Sequence, residues 1–224
     1  MNVLGFDTAT QSTAVALVIG DRAALEARDD STTEAGHPRH TQRLLALAAG
    51  LLEEAGTDWQ ALDAISVGLG PGSFTGLRIG IATARALALA TGAELRGIST
   101  LRAIGAGAGG PRLAVLDARR GEAFVAGYED GQELLAPAVV PPERLGELAG
   151  GQDWLAVGDG AIRFRAVLER AGARVAADDS PLHQVSAAVI CREATTARLD
   201  ASGTVVPMYL RLPDAELELR EARR

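Results

Sequence analysis

Apolar residues in this chain fall into short runs separated by polar turns, which is the pattern of alternating strands and helices. The first half contains five strand-like runs and two helical ones. We expect strands at 2–6, 12–19, 23–29, 61–67 and 94–98, and helices at 40–55 and 79–90. Three strands in a meander, followed by alternating helices and strands, predict an α/β layer architecture.

The glycine-rich stretch 106–111 is flexible, uncharged and followed by a new strand-like run, so it marks the best domain boundary. We therefore predict one domain over 1–105 and a smaller α/β domain over 106–224. The second domain repeats the alternation of the first. Strands are expected at 113–116, 123–128 and 154–157, and helices at 141–149, 161–171 and 185–197.

Each half opens on an apolar run that ends in an aspartate. The two runs are LGFD at 4–7 and AVLD at 114–117. Each is followed by a sharp polar turn. This repeat predicts two halves of related structure, with Asp7 and Asp117 at equivalent strand ends.

Composition narrows the class of protein. Hydrophobic residues make up 47% of the 224 positions and aromatic residues only 4%, so the core is aliphatic. A net charge of −7 argues against a broad nucleic-acid surface, which needs clustered cations, so we expect any contact with nucleic acid to be indirect. The single cysteine, Cys191, excludes an internal disulfide and is expected to be a small buried residue.

No signal peptide or run of membrane-spanning length is present, and we expect a cytoplasmic protein without membrane contact.

The segment GLGPGSFTGLRIG at 68–80 carries the most chemical information. It joins a buried strand to a helix through a turn with four glycines, and Ser73 or Thr75 can cap the helix. Such a turn can hold an anion on its backbone N–H groups. It lacks the lysine of a P-loop, and all 22 basic residues of the chain are arginine. P-loop chemistry and Schiff-base catalysis are therefore both excluded.

The polar turn after the first strand is a candidate phosphate hairpin. Hydroxyl and amide groups there can bind phosphate oxygens, and a carboxylate can hold Mg²⁺ through water. The nucleotide-binding candidates are Asp7, Thr8, Thr10, Ser12 and Asp117. The alternative is an ordinary polar turn whose side chains bond to their own backbone.

Neither a metal site nor a catalytic set is predicted. His37 precedes the helix that starts near His40, and Glu34 is the only nearby candidate for a third ligand, so the set for a metal centre is incomplete. His183 stands alone and is expected at the surface. No serine, histidine and aspartate combine into a triad, so we assign no catalytic residue.

The helix after the glycine turn carries two arginines, Arg78 and Arg85, on an otherwise apolar surface. A face of small residues, Gly76, Gly80 and Ala84, permits close backbone approach. The pattern fits a central core helix and a subunit-interface helix equally well. The helix at 40–55 is the second candidate for an interface, through His40, Leu44 and Leu51.

Five motifs spread over the chain resemble the TsaB (YeaZ) family. The strongest are FDTAT at 6–10 and GPGSFTGLR at 70–78, supported by HTQRLL at 40–45, DARRGE at 117–122 and PMYLR at 207–211. The resemblance implies two ribonuclease-H-like lobes of the actin/Hsp70 ATPase superfamily, with mixed sheets flanked by helices and a reduced second lobe.

The same resemblance implies a function. Family members are non-catalytic partners that bind TsaD and, with the ATPase TsaE, support threonylcarbamoyl transfer to N6 of adenosine 37 in tRNAs reading codons that begin with A. They pair through helices of the N-terminal half, and we expect a homodimer when the chain is alone. The chain itself needs no cofactor, and ATP with Mg²⁺ belongs to the complex.

Two enzymatic alternatives stay open. One is an actin-like ATPase or sugar-kinase relative that uses Asp7 and Asp117. The other is a metallopeptidase, after the older glycoprotease (peptidase M22) label of the family.

Overall fold

The computed structural model describes residues 1–107, 109–196 and 205–211, and its first five strands form one mixed sheet. These strands are β1 (Asn2–Asp7), β2 (Thr13–Ile19), β3 (Leu25–Asp29), β4 (Ala64–Gly68) and β5 (Glu94–Ile98). Their spatial order is β3-β2-β1-β4-β5. Strands β1, β2 and β3 form an antiparallel meander, and β4 and β5 run parallel to β1.

The second sheet repeats this topology. Its strands are β6 (Arg112–Asp117), β7 (Ala123–Glu129), β8 (Gln132–Val140), β9 (Leu155–Val157) and β10 (Arg174–Val175). Read from β8, their order is β8-β7-β6-β9-β10. This matches β3-β2-β1-β4-β5 of the first sheet strand for strand, with the same strand directions. The repeat at 4–7 and 114–117 is therefore the start of a duplicated ribonuclease-H-like unit. The second lobe is reduced, because β9 and β10 span three and two residues.

Seven helices and two short 3₁₀ turns are present in the described residues. The helices are α1 (His40–Ala55), α2 (Phe74–Thr91), α3 (Thr100–Gly105), α4 (Pro142–Ala149), α5 (Asp159–Arg163), α6 (Arg165–Arg170) and α7 (Ala187–Thr196), and the 3₁₀ turns are Trp59–Ala61 and Pro181–His183. Helices α1 and α2 share an apolar core with one face of the first sheet. Helices α4 to α6 cover the outer face of the second sheet, and α3 and α7 lie between the sheets.

The two lobes exchange helices. Helix α3 follows the last strand of the first lobe but packs on β6 and β7, and α7 follows the last strand of the second lobe but packs on β1 and β2. At Gly5 of β1, an added Cβ would lie 2.6 Å from the Cys191 sulfur of α7. The absence of a side chain at Gly5 therefore lets α7 lie close against the first sheet. Each sheet is thus covered in part by a helix from the other half of the chain, and the boundary near residue 106 stays a prediction.

The structure confirms the α/β fold class and corrects several elements. Helix α2 begins at Phe74, earlier than its apolar run, because Ser73 caps it by accepting a bond from the Gly76 N–H. Strands β8 and β10 and helix α3 were not predicted, and 161–171 contains two helices. Cys191 is fully buried as expected, and burial raises its pKa to about 12. Residue 197 of the predicted last helix lies outside the described residues.

Candidate functional site: a cavity between the lobes

A cavity of about 670 Å³ opens between the two lobes. Residues 9–11, 36–38 and 72–74 form its first-lobe wall. The second-lobe wall is formed by residues 116–119 with Phe124 and Asp159, and Tyr209 and Arg211 complete the lining. Four of the five motifs behind the family resemblance contribute lining residues. The fifth, HTQRLL, begins at His40, directly after the 36–38 loop.

The glycine turn docks on the loop that follows β1. A Cβ on Gly76 would lie 1.9 Å from the carbonyl oxygen of Thr8, and one on Gly72 would lie 2.3 Å from that of Ala9. The Ser73 N–H donates to the same Ala9 oxygen at 2.7 Å. These contacts explain why the turn needs glycine, since any side chain would push the two loops apart.

The amides of this turn are largely used inside the protein. Leu69 N–H donates to Ile98 oxygen and Gly70 N–H to the Thr100 hydroxyl, at 2.8 and 3.1 Å. Ser73 and Gly76 N–H groups also have partners, as described above. These four N–H groups are therefore not available to an anion, and anion binding by the remaining amides of the turn stays a prediction.

Asp7 lies beneath the cavity and does not line it. Its side chain is fully buried, accepts from the Thr100 hydroxyl at 2.6 Å, and accepts from the Ala9 N–H at 2.7 Å. A Cβ on Gly68 would lie 1.8 Å from its carboxylate, so no space is left on that side. Asp7 thus joins β1 to the start of α3, and a magnesium ion has no access to it in this arrangement.

Burial raises the pKa of Asp7, although the bonds from Thr100 and Ala9 oppose the shift. The folded protein therefore holds this proton more tightly than the unfolded chain, and the free energy of unfolding should fall as pH rises above the ordinary aspartate value of about 4. Asp7→Asn removes the titration. We expect the variant to gain stability relative to the wild type between about pH 4 and pH 7, measured by urea unfolding at several pH values.

The exposed Asp21→Asn change is the control for this experiment and should leave the pH dependence as it is in the wild type. Equal pH slopes for Asp7→Asn and the wild type would contradict the buried, hard-to-ionise carboxyl group.

Asp117 occupies the equivalent strand end in the second lobe and does line the cavity. Like Asp7, it accepts from the N–H two residues on, here that of Arg119 at 2.9 Å. Its other oxygen accepts from the Arg163 guanidinium at 2.9 Å, and its own N–H donates to Asp159 at 3.0 Å. Loss of hydration raises the pKa of Asp159, and the Asp117 carboxylate adds to this effect.

The predicted nucleotide-binding residues therefore separate into two groups. Thr10 and Asp117 line the cavity. Thr8 is buried and donates its hydroxyl to the Gly76 carbonyl at 2.7 Å, and Ser12 donates its N–H to the Thr10 hydroxyl at 3.4 Å. The Thr8 bond ties the turn to α2, whereas the bonds of Asp7 and Thr10 to the N–H groups two residues on are those of an ordinary polar turn.

The histidines differ in environment. His37 is exposed at the cavity rim, whereas His40 is buried, lies 2.8 Å from the Thr13 hydroxyl through Nδ1, and has its pKa lowered by burial. His183 was expected at the surface but is buried, with its ring nitrogens 2.9 Å from the carbonyl oxygens of Gly158 and Ala177. Within residues 1–107, 109–196 and 205–211, no cluster of three or more His, Cys, Asp or Glu side chains is placed to hold a metal ion.

Six of the eight predicted interface residues point into the first lobe. These are His40, Leu44, Leu51, Gly76, Gly80 and Ala84. The close backbone approach predicted for Gly76 and Gly80 is made to Thr8 of the same chain. Direct contact with a partner is therefore left to Arg78 and Arg85, which are exposed. Their role at an interface stays a prediction.

Among the described residues, a patch of leucines and alanines is exposed on the outer surface of α1 and α2. Leu89 is 88% exposed and Leu45 is 49% exposed. Exposed alanines surround them at helical spacing, and we define the docking face as Leu45, Ala49, Ala82, Ala86 and Leu89 with Arg78 and Arg85. Helix α2 was expected to be covered almost all round, and residues 1–107, 109–196 and 205–211 leave this side exposed.

Sequence reasoning missed a stack that joins the docking face to the cavity. The Arg78 guanidinium lies 3.7 Å from the centre of the Phe74 ring, and that ring lies 5.3 Å from the ring of Tyr209. Arg211 donates to the carbonyl oxygen of Ala118 at 2.9 Å on the far side of the cavity. The motifs GPGSFTGLR and PMYLR contain these residues, but the sequence assigned a role only to Arg78.

Two lobes of duplicated ribonuclease-H-like topology around a central cavity define a protein of the actin-like ATPase fold. The family model described as "TsaD: tRNA N6-adenosine threonylcarbamoyltransferase" matches residues 33–217. The Escherichia coli tRNA threonylcarbamoyladenosine biosynthesis protein TsaB is 38% identical, over 71% of this chain and 72% of that protein. An uncharacterized protein of Mycobacterium tuberculosis is 32% identical, over 96% of this chain and 93% of its own length.

A solved structure extends the likeness to the whole fold. YeaZ from Pseudomonas aeruginosa superposes with a TM-score of 0.75 at 31% identity, covering 93% of this chain and 99% of that one. The chain belongs to the TsaB (YeaZ) family, within the wider TsaD family of tRNA N6-adenosine threonylcarbamoyltransferases.

Proposed function

We propose that this protein is a non-catalytic subunit in the biosynthesis of tRNA threonylcarbamoyladenosine. It binds a TsaD-type protein, acts with TsaE, and supports threonylcarbamoyl transfer to N6 of adenosine 37 in tRNAs that read codons beginning with A. It would work in the cytoplasm, where tRNA is modified. The observation that carries the proposal is the exposed docking face on α1 and α2.

The chemistry of that face suits a protein partner. Exposed leucines amid alanines let another helix approach closely, and an apolar centre with a charged rim is typical of protein interfaces. In the described part of the chain, Arg78 and Arg85 make no ion pair; Arg78 rests on Phe74, and Arg85 donates to the Val205 carbonyl oxygen. Both charges stay available for acidic groups of a partner. A second copy of the chain would use the same face, which accounts for a homodimer in the absence of TsaD.

The charge of the chain supports an indirect role toward tRNA. The net charge of −7 opposes phosphate contact, so we assign tRNA binding to the partner. The order of assembly can be tested by gel filtration of the chain with the TsaD-type protein, TsaE and tRNA of the same organism. A complex that forms with TsaD before tRNA is added supports the proposal. Tight tRNA binding by the chain alone contradicts it.

We expect the purified chain to show no ATP turnover above that of a heat-inactivated sample. Asp7 is buried against Thr100 and Gly68, and the chain has no lysine. Phosphate release with ATP and Mg²⁺ is the measurement, and the assembled complex is the positive control. Turnover by the chain alone that disappears in Asp117→Asn would favour the actin-like ATPase alternative, because Asp117 lines the cavity.

The metallopeptidase alternative requires a bound metal and a set of ligands. Metal analysis of the purified protein tests it directly. Stoichiometric zinc together with peptide cleavage would overturn the scaffold assignment.

A further inference from the structure

The segment at residues 205–211 contacts the docking face, the glycine turn and the second-lobe wall of the cavity. Val205 is buried in the core beneath α2, and its carbonyl oxygen accepts from Arg85 at 2.7 Å. The Met208 N–H donates to the Leu69 oxygen of the glycine turn at 2.7 Å. Leu210 packs on the core between the two sheets. The segment therefore crosses from the first lobe to the second along the cavity.

Both arginines of the docking face are held by this segment or by its immediate contacts. Arg85 bonds to it directly, and Arg78 lies on Phe74, whose ring lies against Tyr209. A guanidinium over a ring is held weakly when it is exposed, and a carboxylate of a partner competes well for it. A docked partner would therefore draw the Arg78 guanidinium away from the Phe74 ring, and this would change how that ring packs against Tyr209.

The other end of the segment holds the second-lobe wall of the cavity. Arg211 donates to the carbonyl oxygen of Ala118 and to the Glu122 carboxylate, at 2.9 and 3.3 Å. Between them, Arg119 and Arg120 have left-handed backbones with φ of 64° and 51°. Non-glycine residues rarely adopt this conformation, so the 117–122 tip depends on its surroundings to keep its shape.

We propose that residues 205–211 couple the docking face to the interlobe cavity, so that a partner bound on α2 reshapes the 117–122 tip through Arg78, Phe74 and Tyr209. This inference rests on the proposed function, since it takes the TsaD-type protein as the partner. It adds a regulatory link that works in both directions, because coupling between two sites is reciprocal. A cavity whose walls have moved would in turn favour or weaken docking.

Hydrogen–deuterium exchange of the full chain, alone and saturated with the TsaD-type protein of the same organism, tests the coupling. We expect protection in α1 and α2 from direct contact and, in addition, a change of about fivefold or more in exchange at 117–122. A complex in which exchange changes only in α1 and α2 overturns the coupling and leaves the proposed function standing. Failure to form any complex overturns the proposed function, and the coupling with it.

Variants of Tyr209 and Arg78 test whether the coupling passes through the Phe74–Tyr209 contact. Tyr209→Leu removes the ring and should abolish the change at 117–122 in the saturated complex. Val206→Ala, an exposed change in the same segment, should keep it. If Tyr209→Leu does not fold, Arg78→Gln at a saturating partner concentration serves instead, because Arg78 is exposed. An undiminished change at 117–122 in these variants overturns the proposed route.

Discussion

Ala86→Glu should weaken binding to the TsaD-type partner by about 30-fold or more while leaving the melting temperature of the isolated chain unchanged. Ala86 is exposed in the middle of α2, between Ala82 and Leu89 on the docking face. A longer, charged side chain there would block close helix approach and would bury a carboxylate without a partner. The few hot spots of an interface cluster near its centre and each carry about 2 kcal/mol or more, and we expect position 86 to be one of them. Isothermal titration calorimetry and differential scanning calorimetry give the two readouts.

The matched control is Ala166→Glu. Ala166 is an exposed alanine on α6, which packs on the second sheet, whereas the docking face lies on the helices of the first sheet. It should affect neither binding nor stability. Reversal of charge in Arg78→Glu should also weaken binding, through loss of a rim contact. If Ala86→Glu and Arg78→Glu bind the partner as the wild type does, the docking face is an ordinary surface and the partner contact lies elsewhere.

The sequence predicted the parts of this fold that depend on local pattern. The strands that begin each lobe are continuous apolar runs, and the repeated apolar run with aspartate located both copies of the unit. Strand β8 was missed, although seven of its nine residues are apolar, because Pro137 interrupts the run. An edge strand tolerates a proline, since one side of it has no hydrogen-bonding partner. Helix α3 has only six residues, too few to show a helical period.

The site was predicted less completely than the fold, for a physical reason. The sequence indicates that Asp7 ends a strand, but only the fold brings Thr100 onto its carboxylate and closes it off from the cavity. In the same way, nothing local to Tyr209 shows that its ring meets Phe74. Contacts between residues far apart in the chain decide which members of a motif line a cavity and which lie beneath it.

Gly76→Ala should destabilise the protein by about 3 kcal/mol, at the upper end of the range for overpacking, or prevent folding altogether. The new Cβ would lie 1.9 Å from the Thr8 carbonyl oxygen and 3.0 Å from the Thr8 carbonyl carbon. These are backbone atoms between β1 and the cavity loop, so relief requires movement of the whole loop. The loop also carries the Ala9 oxygen that accepts from Ser73, so this contact would be strained as well.

Gly50→Ala is the matched control, because Gly50 lies within α1 and a Cβ there has no atom within 4 Å. Alanine has the higher helix propensity, so this variant should be more stable than the wild type by roughly 1 kcal/mol. Urea unfolding followed by circular dichroism measures both changes. Opposite signs for the same substitution at two helical glycines would show that Gly76 is required for the joint between the glycine turn and the β1 loop. A Gly76→Ala protein as stable as the wild type would mean that the two loops are not packed together as described, and the first-lobe wall of the cavity would have to be placed differently.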